Sequence, residues 1–211
     1  MLEYLIKNQD KLFIALIEHF NIVVLSLILS LFIASILTII CMYSKMISKL
    51  IINLFSMIYS IPSLALFALF IPLTGLGLTT AILVLTIYNQ YLLLHNFIVG
   101  LNEVNPAIIE AANGMGMTNM QVFFKVRLPL SKKALFAGIR IAVVSTIGIA
   151  TIAASINAGG LGTILFDGLR TMNINKIVLG SILSAGLAII ANGLLNYIEN
   201  RFKNQYAEGI K

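Results

Sequence analysis

The stretch IVVLSLILSLFIASILTIICM, residues 22–42, decides the fold class. It contains no charged residue, and apart from one cysteine its polar side chains are small hydroxyls. A helix of about 20 apolar residues crosses the roughly 30 Å hydrocarbon core of a lipid bilayer. The stretch therefore predicts a transmembrane helix, and four similar stretches follow it at residues 50–73, 76–98, 134–157 and 177–198.

The composition of the whole chain supports a membrane protein. Of its 211 residues, 59% are hydrophobic and 10% are charged, against roughly 45–50% and 25% in ordinary soluble domains. A soluble domain of this size could not cover so much apolar surface with polar groups, and a disordered chain lacks the apolar content. We therefore predict an all-α membrane protein with about five transmembrane helices.

The first twenty residues differ from these spans. Apolar residues such as Leu5, Leu12 and Leu16 recur at helical spacing among charged ones such as Lys11 and Glu18. This pattern predicts an amphipathic helix over residues 1–20 that lies in the membrane interface, before a transmembrane domain over residues 21–211. The alternative that this helix itself enters the membrane stays open at this point.

Lysine and arginine are distributed unevenly over the predicted loops. The larger set comprises Lys45, Lys49, Lys125, Arg127, Lys132, Lys133, Arg201, Lys203 and Lys211. The smaller set comprises Lys7, Lys11, Arg170 and Lys176. Because short cytoplasmic loops are enriched in Lys and Arg, we predict an outer N-terminus and a cytoplasmic C-terminus. We attribute the net charge of +6 to these loop residues, which set the orientation of the chain in the membrane. We expect no nucleic-acid partner.

The sequence lacks the residues that several kinds of chemistry require. The single cysteine, Cys41, and the two histidines, His19 and His95, are too few for a typical metal site of protein side chains, so we expect none. No G-x4-G-K-[ST] string is present, so the chain has no P-loop of its own. No cluster of titratable residues marks a catalytic centre, and we therefore predict that the chain is not an enzyme.

The longest stretch between spans reads LNEVNPAIIEAANGMGMTNMQVFFKVRLPLSKK, residues 101–133. Asn105 and Pro106 can begin a short helix, which Gly114 and Gly116 end. A second helix begins near Thr118, and we expect Pro129 to end it. A short helix between flexible points on the cytoplasmic face is suited to dock in a groove of another protein.

This stretch resembles the EAA loop of permease subunits of ATP-binding-cassette (ABC) importers. The family pattern E-A-A-x3-G-x9-I-x-L-P is matched by Glu110-Ala111-Ala112, by Gly116 and by Val126-Arg127-Leu128-Pro129, with Val126 in place of isoleucine. Further stretches resemble the osmoprotectant subgroup, whose permeases serve glycine betaine, carnitine and choline. They are IPSLA at 61–65, GMGM at 114–117, AGIR at 137–140, ATIAA at 150–154 and GGLG at 159–162.

The resemblance implies a MetI-like fold with a cytoplasmic coupling helix and a place in the cell membrane of a prokaryote. It implies two ABC ATPase subunits that bind ATP and Mg, a second permease subunit and an extracytoplasmic substrate-binding protein, with no cofactor in this chain. The residues that would couple to the ATPase are Glu110, Ala111, Ala112, Gly116, Leu128 and Pro129. The runner-up is an ABC permease for another solute, such as an amino acid. A secondary transporter is a weaker alternative, because internal repeats and charges at mid-membrane are lacking.

Polar groups inside the spans are candidates for the translocation path. We select Tyr59, Tyr88, Asn89 and Tyr91, since aromatic faces accept a quaternary ammonium group. The alternative is that the tyrosines anchor the interface or fill the core. At the outer side Gly160, Leu161 and Gly162 predict a re-entrant turn that acts as a gate, and a plain surface loop is the alternative.

Overall fold

The computed structural model describes the backbone of residues 2–208 and the side chains of residues 4–201, and this part of the chain is helical without strands. The α-helices are α1 (Leu2–Lys7), α2 (Gln9–Tyr43), α3 (Lys45–Tyr59), α4 (Ser63–Thr74), α5 (Leu78–Asn102), α6 (Pro106–Gly114), α7 (Asn119–Val122), α8 (Leu128–Leu130), α9 (Lys132–Ala153), α10 (Gly162–Arg170) and α11 (Ile174–Glu208). A π-helical segment, Phe123–Arg127, joins α7 to α8, and a 3₁₀ turn, Ala154–Ile156, follows α9. The all-α membrane fold is confirmed.

Four helical stretches among the described residues are long and apolar enough to cross a bilayer: Gln9–Tyr43, Leu78–Asn102, Lys132–Ile156 and Ile174–Arg201. The predicted second span, residues 50–73, is instead divided into α3 and α4, which meet at an angle of 98°. Pro62 causes the break because it has no N–H to donate and disfavours helical geometry at Ile61 before it. Counted as one broken span, this pair makes five.

The beginning of the chain also differs from the prediction. No helix boundary lies near residue 20, because α2 runs without interruption from Gln9 to Tyr43 and contains neither glycine nor proline. Its 35 residues extend about 52 Å at 1.5 Å per residue, which exceeds the roughly 30 Å core of a bilayer. The described residues therefore contain no helix that ends at residue 20, and α1 with the first part of α2 occupies the predicted interfacial stretch. Met1 lies outside the described residues.

The helix α5 forms the centre of the bundle and packs against both α2 and α9. Small side chains such as Ser30 and Ala34 on α2, and Ala142 and Ala150 on α9, are fully buried. Small residues let helix backbones approach closely in lipid, where hydrophobic attraction between helices is lacking. The close packing fixes the ends of α5, from which the loops described below depart.

The two ends of the bundle carry different loops. At one end Glu18 contacts Gly160, so the beginning of α2 and the turn before α10 lie together. At the other end Tyr43 contacts Met120, so the end of α2 lies beside α7. The side chains of Lys203 and Lys211, which belong to the predicted basic set, lie outside the described residues.

Candidate coupling, path and gate sites

The helix α6 is defined at both ends by local sequence. The Asn105 side chain accepts a hydrogen bond from the Ala107 N–H at 3.0 Å, and Pro106 occupies the first turn. At the other end the Gly116 N–H donates to the Asn113 carbonyl at 2.9 Å, and the Met117 N–H donates to the Ala112 carbonyl at 3.2 Å. This Schellman motif requires a positive φ, and Gly116 supplies φ +81°. The predicted helix and its glycine stop are both present.

One face of α6 is open to solvent. Glu110 and Ala111 are exposed, whereas Ala112 is only 2% exposed and faces the protein. Large apolar side chains are exposed on and around the same helix, namely Ile108, Met115, Met120, Phe124 and Leu130. A group of exposed large apolar side chains is a feature of sites that bind another protein.

The second half of the loop departs from the predicted stop at Pro129. Thr118 and Gln121 form a capping box that begins α7, but the helix then continues through the π segment and α8 to Leu130. The Leu128 N–H bonds the Phe123 carbonyl five residues earlier. Pro129 has no N–H to donate, and a π bulge is one way in which a helix accommodates such a loss. Pro129 therefore deforms this helix and does not end it.

Two side chains attach this loop to the end of α5. Arg127 Nη1 donates to the Leu101 carbonyl at 3.2 Å, which satisfies a carbonyl at a helix C-terminus. The Ser131 hydroxyl lies 2.9 Å from the Gly100 carbonyl and is buried. A Cβ at Gly100 would lie 2.3 Å from that of Ala134, so α5 and α9 touch here. The loop is thus held against the bundle while α6 stays exposed.

Three of the four predicted path residues form one aromatic cluster near the break between α3 and α4. The Tyr59 ring centroid lies 5.0 Å from that of Tyr91 and 5.6 Å from that of Tyr88. The Tyr88 hydroxyl donates to the Ile61 carbonyl, next to Pro62. His95 extends the cluster, with its ring 5.7 Å from Tyr91. Tyr59 and Tyr91 are partly exposed, so this aromatic surface is accessible from outside the core.

The fourth predicted path residue lies elsewhere. Asn89 is 2% exposed, and its Nδ2 lies 2.9 Å from Thr146 Oγ1 and 3.2 Å from Ser30 Oγ. These contacts join α5 to α9 and to α2. Asn89 therefore does not contribute to the aromatic cluster. Its side chain faces α9 and α2 and holds these helices against α5.

The predicted outer turn is compact. Gly159 and Gly160 have φ +85° and +83°, and Leu161 is fully buried. A Cβ on Gly162 would lie 1.9 Å from the Thr151 carbonyl oxygen, so α10 begins in direct contact with α9. The Gly160 N–H donates to Glu18 Oε2 at 2.9 Å. The three predicted gate residues therefore form a tightly packed turn followed by a helix, and not a plain surface loop.

The sequence of the chain matches a known protein family over most of its length. The family described as "Binding-protein-dependent transport system inner membrane component" matches residues 26–204. The chain belongs to this family. It is an ABC importer permease subunit, as the EAA pattern in α6 and the π segment indicates.

Relatives extend the match over most of this permease. It is 32% identical over 211 residues to the glycine betaine/carnitine/choline transport system permease protein OpuCB of Bacillus subtilis, covering 100% of this chain and 97% of that one. It is 41% identical over 143 residues to the ergothioneine transport permease/ergothioneine binding protein EgtU of Helicobacter pylori. That match covers 68% of this chain and about a quarter, 26%, of EgtU.

A solved structure shares the fold of the permease. The inward-facing MetNI methionine ABC transporter superposes with a TM-score of 0.80 at 22% identity, covering 92% of this chain and 97% of that one. The MetI-like fold predicted from the EAA loop is thereby confirmed.

Sequence reasoning missed three features of the permease. The Arg127 contact with Leu101, the Asn89 contact with Thr146 and the Glu18 contact with Gly160 each join residues far apart in the chain. Arg127 stood inside the recognised motif, but nothing local showed which carbonyl it reaches. Glu18 appeared only as one of several charges along an amphipathic pattern.

Proposed function

We propose that α6 is the contact through which an ATPase subunit drives this permease. The observation that carries the proposal is that α6 is exposed on one face while Arg127 and Ser131 hold its loop against α5. A partner can move the bundle through such a helix only if the attachment is stiff and the contacts differ between the two states. ATP and Mg are bound by the ATPase, and this chain needs no cofactor.

Each motif residue has a part in this contact. Glu110 pairs with a basic group or backbone donor of the ATPase, and Ala111 allows close approach. Ala112 seats α6 on its own loop, and Gly116 turns the chain back toward α7. Leu128 and Pro129 shape the π segment that carries Arg127.

We assign the transported solute to small quaternary ammonium compounds. Glycine betaine, carnitine, choline and ergothioneine, which appear in the names of the two relatives, all contain a trimethylammonium group. Tyr59 and Tyr91 place two partly exposed rings with centroids 5.0 Å apart, and the buried Tyr88 stands edge-on to Tyr59. Aromatic faces attract a quaternary ammonium group within about 6 Å of a ring centroid. The aromatic cluster is thus a step along the path, and Asn89 supports the helices around it.

The assembly has two permease subunits in the cytoplasmic membrane of a prokaryote, identical or related, with ATPase subunits inside and a binding protein outside. The N-terminus lies outside. Its support is the distribution of bases, since Lys45, Lys125 and Arg127 lie at the α6 end of the bundle and Lys11 lies at the other. The turn at Gly160, Leu161 and Gly162 is then the outer gate, which opens when ATP binds.

Reconstitution of the permease with an ATPase and a binding protein tests the proposal. Uptake of labelled glycine betaine, carnitine, choline, ergothioneine and methionine is measured with and without ATP. We expect ATP-dependent uptake of the trimethylammonium compounds, with loss of uptake in Glu110→Lys and in Gly116→Trp. Glu103→Lys, a charge reversal at an exposed acid of the same loop, serves as the matched control and retains uptake.

The other outcomes identify the alternatives. Uptake of methionine alone would make the chain an amino-acid permease, and uptake without ATP would make it a secondary transporter. Full uptake by both loop variants, at normal amounts of inserted protein, would exclude α6 as the coupling contact.

A further inference from the structure

Among the described residues, a side-chain hydrogen bond joins α2 to the outer turn. Glu18, near the beginning of α2, accepts the Gly160 N–H at its Oε2 atom. These residues are 142 positions apart in the chain. The bond is charge-assisted, because the acceptor is a carboxylate, and such bonds are roughly twice as strong as neutral ones.

The backbone around this contact leaves no room for side chains on the turn. A Cβ on Gly159 would lie 2.5 Å from Glu18 Oε2, and one on Gly160 would lie 3.0 Å from His19 Nδ1. Both glycines also have the positive φ that other residues rarely adopt. Glu18 and His19 therefore lie directly against a turn that only glycines can form.

The Glu18 side chain favours the closed turn, whereas the His19 side chain favours the open turn. Glu18 is exposed, so its carboxylate can exchange the Gly160 N–H for water when the turn moves. His19 is fully buried under Gly160 and lies near the Ile147 backbone, but neither ring nitrogen makes a hydrogen bond of good geometry among the described residues. A buried polar group without such a bond is costly, and the cost is relieved when water reaches it.

From these contacts we propose that Glu18 is a latch that holds the outer turn closed in the resting transporter, and that His19 favours its release. The inference rests on the proposed role of the turn as the outer gate. Glu18 acts as a positioning residue, since it contacts the turn and no solute. Opening requires the Glu18–Gly160 bond to break while α10 moves away from α2.

A cysteine at Leu161 reports the state of the turn, because this side chain is fully buried when the turn is closed. The native Cys41 is first replaced by alanine, and the transporter is assembled with its ATPase in nanodiscs, where both faces are accessible. The rate of labelling by a polar maleimide is measured without nucleotide and with ATP plus vanadate. Ala158→Cys, at an 8% exposed position in the same turn, is a second reporter with a smaller change of volume.

We expect Glu18→Ala to raise the labelling rate without nucleotide by about threefold to tenfold. This is the shift for a hydrogen bond of ordinary net strength, because the exposed carboxylate also exchanges with water. The rate with ATP stays unchanged, because the bond is already broken in that state. Glu18→Gln keeps an oxygen acceptor and restores slow labelling. His19→Leu removes the costly nitrogens and lowers the rate with ATP.

The controls separate the latch from the gate. Asp10→Ala removes an exposed acid of the same helix and leaves all rates unchanged. If nucleotide changes the labelling but Glu18→Ala does not, the latch is excluded and the gate remains. If neither nucleotide nor Glu18→Ala changes it at either reporter, the gate is excluded as well. A rise in both nucleotide states would mean general loosening, and would also overturn the latch.

Discussion

At the level of single residues, Gly162 shows how closely the outer turn packs against α9. A Cβ there would meet the Thr151 carbonyl oxygen at 1.9 Å and its carbon at 2.7 Å, and both are backbone atoms that cannot move alone. We predict that Gly162→Ala displaces α10 and costs at least about 1–3 kcal/mol, as overpacking typically does. The measurement is thermal unfolding of the purified permease.

The matched control for this change is Gly186→Ala. Gly186 lies within α11, and a Cβ added to it has no neighbour within 4 Å. Replacing glycine by alanine in a helix stabilises it by about 0.5–1 kcal/mol. Equal melting temperatures for the two variants would mean that α10 does not pack on α9 as described.

Residues whose role depends on local backbone were the ones that the sequence could predict. Asn105 and Gly116 begin and end α6 through bonds to neighbours two and three positions away, so their types alone indicate their roles. Asn89 and Glu18 act through residues distant in the chain. A polar residue in a span is costly unless its hydrogen-bonding groups find a partner. Its type does not say whether that partner is a solute or another helix.

At the level of elements, the loop between α5 and α9 depends on Arg127. Arg127→Ala removes the N–H donor from the Leu101 carbonyl, and hydrogen bonds to charged groups contribute about 1.5–3 kcal/mol. We predict that the loop becomes less firmly attached, so that solute uptake per ATP hydrolysed falls several-fold while ATPase binding persists. Uptake and hydrolysis are measured on the same reconstituted sample.

Lys125→Ala is the control, since Lys125 is an exposed base in the same π segment. It should leave the ratio of uptake to hydrolysis unchanged. An equal fall in both variants would assign the effect to lost positive charge and not to the contact with Leu101.

The sequence predicted which elements exist better than how they bend. Apolar length identified α2, α5, α9 and α11, because crossing the bilayer demands it. The 98° angle between α3 and α4 follows Pro62 and is accompanied by the contact of Tyr88 with Ile61, which the sequence does not show. The change from an amphipathic to an apolar pattern predicts a boundary at residue 20, but no residue there breaks a helix and α2 continues through it.

At the level of the whole molecule, three spans meet at Asn89. Its amide contacts Thr146 on α9 and Ser30 on α2, and both hydroxyls also bond carbonyls of their own helices. When Asn89 is replaced, the Ser30 and Thr146 hydroxyls therefore keep their bonds to carbonyls of their own helices. When Thr146 is replaced, the Asn89 amide loses its contact with α9. This difference makes the site suitable for a double-mutant cycle.

We predict that Asn89→Leu and Thr146→Val each destabilise the bundle, and that their coupling energy lies between about 0.6 kcal/mol, the average for hydrogen bonds between membrane helices, and about 1.7 kcal/mol, the maximum. Thr146→Val costs more than its same-helix control, Thr151→Val, whose hydroxyl donates to the Gly148 carbonyl of its own helix α9. Unfolding of the purified variants in mixed detergent micelles gives the free energies. A coupling energy of zero would mean that Asn89 does not hold α5 against α9, and would return it to the candidates for the translocation path beside Tyr59 and Tyr91.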